Sequence, residues 1–324
     1  MKNTDKLLAL LMTTETYISG QALAKQLDIS RQAVWKTISA LREDGYEIDS
    51  VPRRGYKLLA MPRFLNYHAL RAKLHTQVLG KRLIVLDEVG STNDYLKVLG
   101  AQNGEHGTVI TARLQTAGKG RLGRTWQDKR DSSIPFSFLL RPQMAPPEVA
   151  SVTPLTGLSV CKALRSFTGL DCKIKWPNDI IVGKKKLVGI LTEMSAEFDA
   201  VEYLVTGVGV NVDQTVFPES IAYKATSLLL ETGRHYDKNE LLTHILTQLE
   251  KDLLGNRYRL SAAALEEYIS LCATVGRSVT FTRGTRRING IAVGVSQNGG
   301  LRVMLSDGTV CDVNAGEVII QGIY

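Results

Sequence analysis

Residues 115–126 have the sequence Gln-Thr-Ala-Gly-Lys-Gly-Arg-Leu-Gly-Arg-Thr-Trp, and this stretch decides which nucleotide-binding folds the chain can adopt. Gly118, Gly120 and Gly123 match the G-x-G-x-x-G pattern of a Rossmann turn. A Rossmann turn is followed at once by an apolar helix and, about 20 residues later, by an acid. Here polar residues follow, and no acid stands in the expected region after Asp131. A Walker A loop is also excluded, since no Lys-Ser or Lys-Thr pair closes the glycine run.

The same loop is suited to holding an anion. Glycines permit positive φ angles and let main-chain amides approach an anion closely. Arg121 and Arg124 can each grip phosphate or carboxylate oxygens with two hydrogen bonds. We therefore expect an acidic ligand held by a mobile loop, the alternative being a solvated basic turn.

Composition places the chain among globular proteins. Its 324 residues fit two or three domains, and 44% hydrophobic with 22% charged residues is typical of that class. No apolar run approaches the roughly 20 residues that span a bilayer, and the N-terminus lacks a signal peptide's apolar core. We expect a cytoplasmic protein without a membrane partner. The four cysteines lack C-x-x-C spacing and the five histidines are scattered, which predicts reduced thiols and no protein-built metal site.

The first 65 residues predict a winged helix-turn-helix. Two short apolar helices are followed by Ser30, which can cap a third helix. In that helix Val34, Ile38 and Leu41 recur at helical spacing and form its predicted buried face. Beyond it, two alternating segments around a basic turn predict a β-hairpin wing.

This arrangement leaves a basic surface for DNA. Arg31, Gln32 and Lys36 lie on the outer side of the second helix of the motif, where side chains meet bases and phosphates. Arg53 and Arg54 stand at the tip of the wing. The alternative is a helical protein-interaction domain with a hairpin, but two arginines at the tip favour DNA.

Four further motifs follow in order along the chain. They are Gly-Ser-Thr-Asn at 90–93, Lys-Trp-Pro-Asn-Asp at 175–179, Lys-Leu-Val-Gly-Ile-Leu at 186–191 and Gly-Val-Gly-Val-Asn-Val at 207–212. Together with the glycine-rich loop, they resemble the biotin protein ligase family. Including the helix-turn-helix, the resemblance covers nearly the whole chain and is to bifunctional ligases that also repress biotin genes. One departure is Lys119, where the family loop usually carries arginine.

The resemblance implies an α+β multidomain fold. Residues 1–65 would be the winged helix-turn-helix DNA-binding domain, 66–275 a central α/β ligase domain with a mixed sheet that binds biotin and ATP, and 276–324 a small C-terminal SH3-like β-barrel. The short apolar segments after residue 276, the last of them at 317–320, are separated by Gly299-Gly300 and Asp307-Gly308 turns.

The resemblance also implies two activities. The protein would join biotin to ATP as biotinyl-5′-adenylate and pass biotin to a lysine of a biotin carboxyl carrier protein. The adenylate would promote a homodimer that binds operator DNA as a repressor. Two alternatives stay open: a transcription regulator that senses a small acid without catalysis, and a lipoate ligase of similar fold, although the glycine-triplet lipoate motif is missing.

Site residues follow from the same resemblance. The predicted catalytic residues are Lys186, Arg121 and Arg124. The predicted biotin contacts are Ser91, Thr92, Asn93, Gln115, Lys119, Gly120, Arg121 and Lys186. The predicted adenylate contacts are Arg124, Trp126, Asn178 and Asn211. Asp179 would lie near the nucleotide and help to hold Mg²⁺, which prefers carboxylate, phosphate and water oxygens.

Overall fold

The computed structural model describes residues 3–197, 200–283, 285–314, 316 and 318–323. The chain divides into two compact units. One comprises Met1–His75 with Asp237–Thr243, and the other comprises Thr76–Tyr236 with His244–Tyr324. No helix among the described residues is long and apolar enough to cross a bilayer.

The first unit is a winged helix-turn-helix, as predicted. Its elements are α1 (Asn3–Met12), α2 (Gly20–Leu27), α3 (Arg31–Glu43), β1 (Glu47–Val51), β2 (Gly55–Ala60) and α4 (Tyr67–Lys73). The Ser30 hydroxyl accepts a hydrogen bond from the Ala33 amide at 3.1 Å and so begins α3. Val34, Ile38 and Leu41 are fully buried, which confirms the predicted core face of this helix. The unit also contains the first turn of a later helix, residues 238–243.

The second unit is built on a seven-stranded mixed sheet. Its elements before residue 272 are β3 (Leu83–Leu86), α5 (Thr92–Ala101), β4 (Val109–Ala112), β5 (Ser133–Leu140), α6 (Val152–Thr168), β6 (Cys172–Lys175), β7 (Asp179–Val182), β8 (Lys185–Glu197), β9 (Ala200–Asn211), α7 (Glu219–Ala222), α8 (Leu228–Thr232), α9 (Lys238–Gly255, from residue 244) and α10 (Ala262–Leu271). The strand order is β3-β4-β5-β9-β8-β7-β6. Only the β3–β4 pair is parallel among these neighbours. The mixed sheet was expected, and α5 and α6 both pack against its strands.

One predicted helix begins later than its sequence indicates. Periodicity predicts a single helix from Pro147 to Ser166, but the structure has a 3₁₀ segment over Pro146–Ser151 and starts α6 only at Val152. Pro146 and Pro147 stand in the first turn of the 3₁₀ segment, where a missing amide proton costs no intrahelical hydrogen bond.

The chain ends in an all-antiparallel β domain. Its strands are β10 (Ser278–Arg283), β11 (Arg286–Val295), β12 (Leu301–Met304), β13 (Val310–Val313) and β14 (Val318–Ile320) in the order β13-β12-β11-β10-β14. The turns contain Gly299 and Gly308 at positive φ, as their sequence predicts. β13 was not predicted, and Glu317, the expected start of the last strand, lies outside the described residues. Closure of the sheet into a barrel stays a prediction.

Candidate functional site

Two adjoining cavities lie in the second unit, beside β8 and β9. The smaller cavity has a volume of about 50 Å³, and all eight residues predicted to contact biotin line it. The larger cavity has a volume of about 200 Å³, and all four residues predicted to contact the adenylate line it. The cavities share five lining residues: Gly120, Arg121, Trp126, Asn178 and Lys186. Segments that are far apart in sequence therefore meet at the boundary between the two cavities. A ligand in one cavity would contact a ligand in the other at this boundary.

Polar side chains at the start of α5 form one wall of the smaller cavity. Ser91 caps this helix by accepting a hydrogen bond from the Asp94 amide at 3.4 Å. The helix begins at Thr92, directly after this cap. The Gln115 side-chain oxygen accepts hydrogen bonds from the Thr92 amide at 2.8 Å and hydroxyl at 2.9 Å. Capping and site geometry are therefore compatible roles for the Ser-Thr-Asn motif.

Asn93 is buried at the floor of the same cavity, and both ends of its amide are fixed. The amide oxygen accepts a hydrogen bond from the Ser137 hydroxyl at 2.6 Å, while the nitrogen donates to a Glu193 carboxylate oxygen at 2.8 Å. A Cβ atom at Gly207 would lie 2.1 Å from the amide oxygen, so only glycine fits there. The acceptor Glu193 also accepts a bond from Lys97 at 2.8 Å, and this bond raises the Lys97 pKa.

The glycine-rich loop forms a narrow hairpin over the site. The Gly120 amide donates to the Arg124 carbonyl at 2.7 Å, and the Trp126 amide donates to the Gly118 carbonyl at 2.8 Å. Leu122, at the tip, has a positive φ of 56° and is 67% exposed. The hairpin thus presents its tip to solvent while its two ends stay paired.

Trp126 packs directly on the sheet below the loop. A Cβ atom would lie 2.8 Å from the indole at Gly189 and 2.5 Å from it at Gly209, so both glycines are needed for this contact. The indole Nε1 is buried and has no hydrogen-bond partner within the described part of the chain. The smaller cavity consequently keeps room for only a few water molecules.

Lys186 stands at the junction of the two cavities. Its ammonium lies 2.6 Å from an Asp179 carboxylate oxygen and 5.7 Å from the Trp126 ring centroid. Its amide donates to the Lys224 carbonyl at 2.7 Å, which fixes the start of β8. The Asp179 carboxylate therefore holds the charge of Lys186 in place.

Two arginines of the loop differ in their surroundings. Arg121 donates to the Asn178 side-chain oxygen at 3.0 Å and to the Gly316 carbonyl at 3.2 Å, so it is positioned at the shared boundary. Arg124 is exposed and lines only the larger cavity. Asn211, also in the larger cavity, is buried and donates to the Thr226 carbonyl at 2.9 Å.

The ammonium of Lys119 is paired with a carboxylate beside the cavity. It lies 2.7 Å from Asp94 on α5, and both side chains are more than two-fifths exposed. Lys119 therefore lines the smaller cavity while its charge is paired with Asp94.

Sequence reasoning missed several groups that support these residues. Ser137, Glu193 and Asp94 hold Asn93 and Lys119, and Asp128 accepts a hydrogen bond from the Gln115 amide at 2.9 Å. Burial raises the pKa of the Asp128 carboxyl. No local motif marks these groups, because each acquires its role from a contact made between separate elements.

The larger cavity provides limited means of holding a cation. Asp179 is the one carboxylate among its described lining residues. The described residues also contain no cluster of three or more histidine, cysteine or acidic side chains suited to a metal. Asp179 fits Mg²⁺ only as a single oxygen ligand, with phosphate and water oxygens completing the shell.

A separate candidate surface lies on the first unit. Arg31, Gln32 and Lys36 are exposed on α3, as predicted. Arg53 has a positive φ of 66° at the wing tip, and the Arg54 guanidinium lies 4.5 Å from the centroid of the Tyr17 ring. Cation–π contact with that ring gives the Arg54 side chain a defined direction.

Comparison with known families agrees with this division. Three models match the chain: an HTH domain at residues 3–57, the Biotin/lipoate A/B protein ligase family at 85–211, and the Biotin protein ligase C terminal domain at 274–320. Every residue predicted to contact a small ligand lies within 85–211, and every residue predicted to contact DNA lies within 3–57.

Individual relatives are similar over most of their length. The bifunctional ligase/repressor BirA of Bacillus spizizenii is 40% identical over 245 residues, which are 75% of this chain and 74% of that protein. Its counterpart in Bacillus subtilis is 36% identical over 297 residues, 90% of each chain. Among solved structures, the biotin protein ligase from Aquifex aeolicus in complex with biotin and ATP is 32% identical, with a TM-score of 0.64, and the match covers 74% of this chain and 99% of that one.

Proposed function

The chain belongs to the family of bifunctional biotin ligase/repressors, and from this we propose how its residues divide the two activities. It is a biotin–[acetyl-CoA-carboxylase] ligase and a DNA-binding repressor. The observation that carries the assignment of residues is the meeting of two cavities at Arg121, Trp126, Asn178 and Lys186. Adenylation requires such a junction, because a carboxylate must reach the α-phosphorus of a nucleotide.

Biotin occupies the smaller cavity in this proposal. Thr92, Asn93 and Gln115 offer the hydroxyl and amide groups that hydrogen-bond the ureido ring, with Ser91 beside them. Lys119 and Gly120, from the glycine-rich loop, contact biotin from another wall of this cavity. Since the cavity has room for only a few water molecules, biotin must shift the loop or Trp126 as it enters.

ATP occupies the larger cavity, with Asn178 and Asn211 near the nucleotide and Trp126 packed against the adenylate. Arg121 and Arg124 bind anionic oxygens, and Lys186 reduces the repulsion between the carboxylate of biotin and the α-phosphate. A carboxylate oxygen of biotin forms a bond to the α-phosphorus, and the bond to the β-phosphate oxygen breaks, releasing pyrophosphate. Asp179 would supply one oxygen to Mg²⁺, whose charge neutralises the phosphates.

The second half-reaction uses the same site. The amine of a lysine on a biotin carboxyl carrier protein attacks the acyl carbon of the adenylate, and AMP leaves. The site is also the sensor, because the adenylate promotes a homodimer that binds a two-half-site operator. ATP, the carrier and operator DNA all occur in the cytoplasm, where we propose that the protein acts.

We propose domain boundaries at residues 1–65, 66–275 and 276–324, with the last domain closing as an SH3-like barrel. Helix α4 follows the first boundary in sequence but belongs to the first compact unit.

One assay separates ligation from its alternatives. The intact protein is incubated with ATP, Mg²⁺, a carrier domain and either biotin or lipoate, and the mass of the carrier is measured. We expect one biotinyl group per acceptor lysine and no lipoyl group. Addition of lipoate alone would identify a lipoate ligase, and a carrier left unmodified by both acids would leave a non-catalytic sensor of small acids.

A further inference from the structure

Trp35, on α3, is the most exposed of the three tryptophans. It is 57% exposed, whereas Trp176 is 2% exposed and Trp126 lies half-buried on the sheet. Trp35 is absent from the apolar side chains that pack against the core of its own unit. Tryptophan is usually well buried, and a large aromatic ring open to solvent is a common feature of binding surfaces.

The position of Trp35 on the helix associates it with the predicted DNA contacts. Arg31, Gln32, Trp35 and Lys36 stand at positions i, i+1, i+4 and i+5, so they share one side of α3. The buried residues of the same helix, Val34, Ile38 and Leu41, form a separate stripe that packs into the core of the unit. The indole is thus bordered by two cations and an amide, which suits a polyanion carrying some apolar surface.

The chemistry of the indole limits what it can recognise on DNA. It has a single hydrogen-bond donor and no acceptor, so it cannot form the paired bonds by which arginine or glutamine distinguishes bases. The apolar group that an unmodified base pair presents in the major groove is the C5-methyl of thymine. A phosphate contact would use the donor alone and would leave most of the ring in water.

We propose that Trp35 is a specificity-determining residue of the repressor, packing its indole against thymine C5-methyl groups in each operator half-site. This inference rests on the DNA-binding activity of the chain. Arg53 and Arg54 on the wing, together with Lys36, supply phosphate contacts that are indifferent to sequence. Trp35 adds preference for thymine at one or more positions under α3.

The test uses duplexes that the intact protein, with biotin and ATP, enriches from a random-sequence library. Each thymine of the enriched sequence is replaced in turn by uracil, which lacks only the methyl group. We expect at least one replacement per half-site to weaken binding by the wild type about fourfold, the worth of one buried methyl group. Trp35→Ala should bind the parent duplex at least fourfold more weakly and should be insensitive to the same replacement.

Two control variants separate this role from others. Lys36→Ala should weaken binding and flatten its salt dependence while keeping the sensitivity to uracil, because it removes a phosphate contact. Leu59→Ala, which truncates an apolar residue on β2 that is 60% exposed, should leave operator affinity unchanged. Thermal unfolding of each variant checks that α3 is intact.

The inference is overturned if Trp35→Ala binds as tightly as the wild type, or if the wild type and Trp35→Ala respond alike to uracil at every position. Either result would leave DNA binding by the chain in place. Failure of the intact protein to enrich any sequence would instead remove the DNA-binding role, and this inference with it.

Discussion

At the scale of single residues, Lys186 has the most demanding role. It must carry its charge against the sheet, and the Asp179 carboxylate at 2.6 Å compensates for that position. We predict that Lys186→Ala impairs adenylate formation far more than transfer of biotin from supplied adenylate. The loss of a charge-assisted contact to a developing charge costs about 2–4 kcal/mol of barrier. Rates of the two half-reactions, measured separately, provide the test.

The matched control is Lys185→Ala, because this exposed neighbour on β8 lines neither cavity. It should leave both rates unchanged. Removing Lys186 also leaves the largely buried Asp179 without this cation, so the thermal unfolding of Lys186→Ala is measured beside the rates to separate stability from rate. Equal losses in both half-reactions of Lys186→Ala would contradict the assigned role.

The cysteines provide a second test at this scale. Burial raises the pKa of the Cys161 and Cys172 thiols to about 12, and Cys311 is half-buried. At pH 8 only about one such buried thiol in ten thousand is ionised, and the thiolate is the reactive form. We predict that iodoacetamide modifies Cys311 first in the folded protein. Peptide mapping that found Cys161 or Cys172 modified first would show that this part of the core is open.

At the scale of elements, the glycine-rich hairpin has no buried apolar side chain between Thr116 and Gly123. Its tip residue Leu122 is exposed, and in the proposed function biotin shifts either this loop or Trp126 as it enters. We predict trypsin cleavage near Lys119, Arg121 and Arg124 that biotin plus ATP suppresses, because bound anions order the loop. Cleavage at the exposed Arg286, in the C-terminal domain, is the internal control and should not respond. Equal cleavage of the loop with and without ligands would contradict the claim that bound ligands order it.

The elements also show what sequence can and cannot predict. Ser30 and the helical spacing of Val34 and Ile38 predict α3, because capping and amphipathicity are local properties. The packing of Trp126 against Gly189 and Gly209 is not a local property, since these three residues come from three separate segments. Strand pairing brings these segments together, and no spacing of residues in the sequence predicts that contact. The residues that the motifs predict as ligand contacts line the two cavities, while their supporting groups became visible only in the folded chain.

At the scale of the whole molecule, the residues predicted for the two activities come from different parts of the chain. The predicted DNA contacts end at Arg54, and the predicted ligand contacts begin at Ser91. We predict that a chain beginning near Pro62 still biotinylates a carrier domain but no longer binds operator DNA. It should be less stable, because Ala69 loses the apolar core of the first unit, against which it packs. Loss of carrier biotinylation in a folded truncated chain would contradict the division.

In the proposed function the adenylate links the two activities. A ligand shifts an equilibrium only by its difference in affinity for the two states, so the proposal requires the adenylate to prefer a dimer that binds DNA. It requires in turn that operator DNA favours dimerisation or adenylate binding. A single site that both synthesises and senses the adenylate would therefore connect biotin supply to repression.

The most direct measurement is operator affinity of the wild type and of Lys186→Ala, each with no ligand, with biotin plus ATP, and with saturating biotinyl-5′-adenylate. We predict that both ligand conditions tighten binding by the wild type, whereas Lys186→Ala responds only to the supplied adenylate. Binding by the wild type that ignores both conditions, or a Lys186→Ala variant that responds to biotin plus ATP as the wild type does, would contradict this prediction.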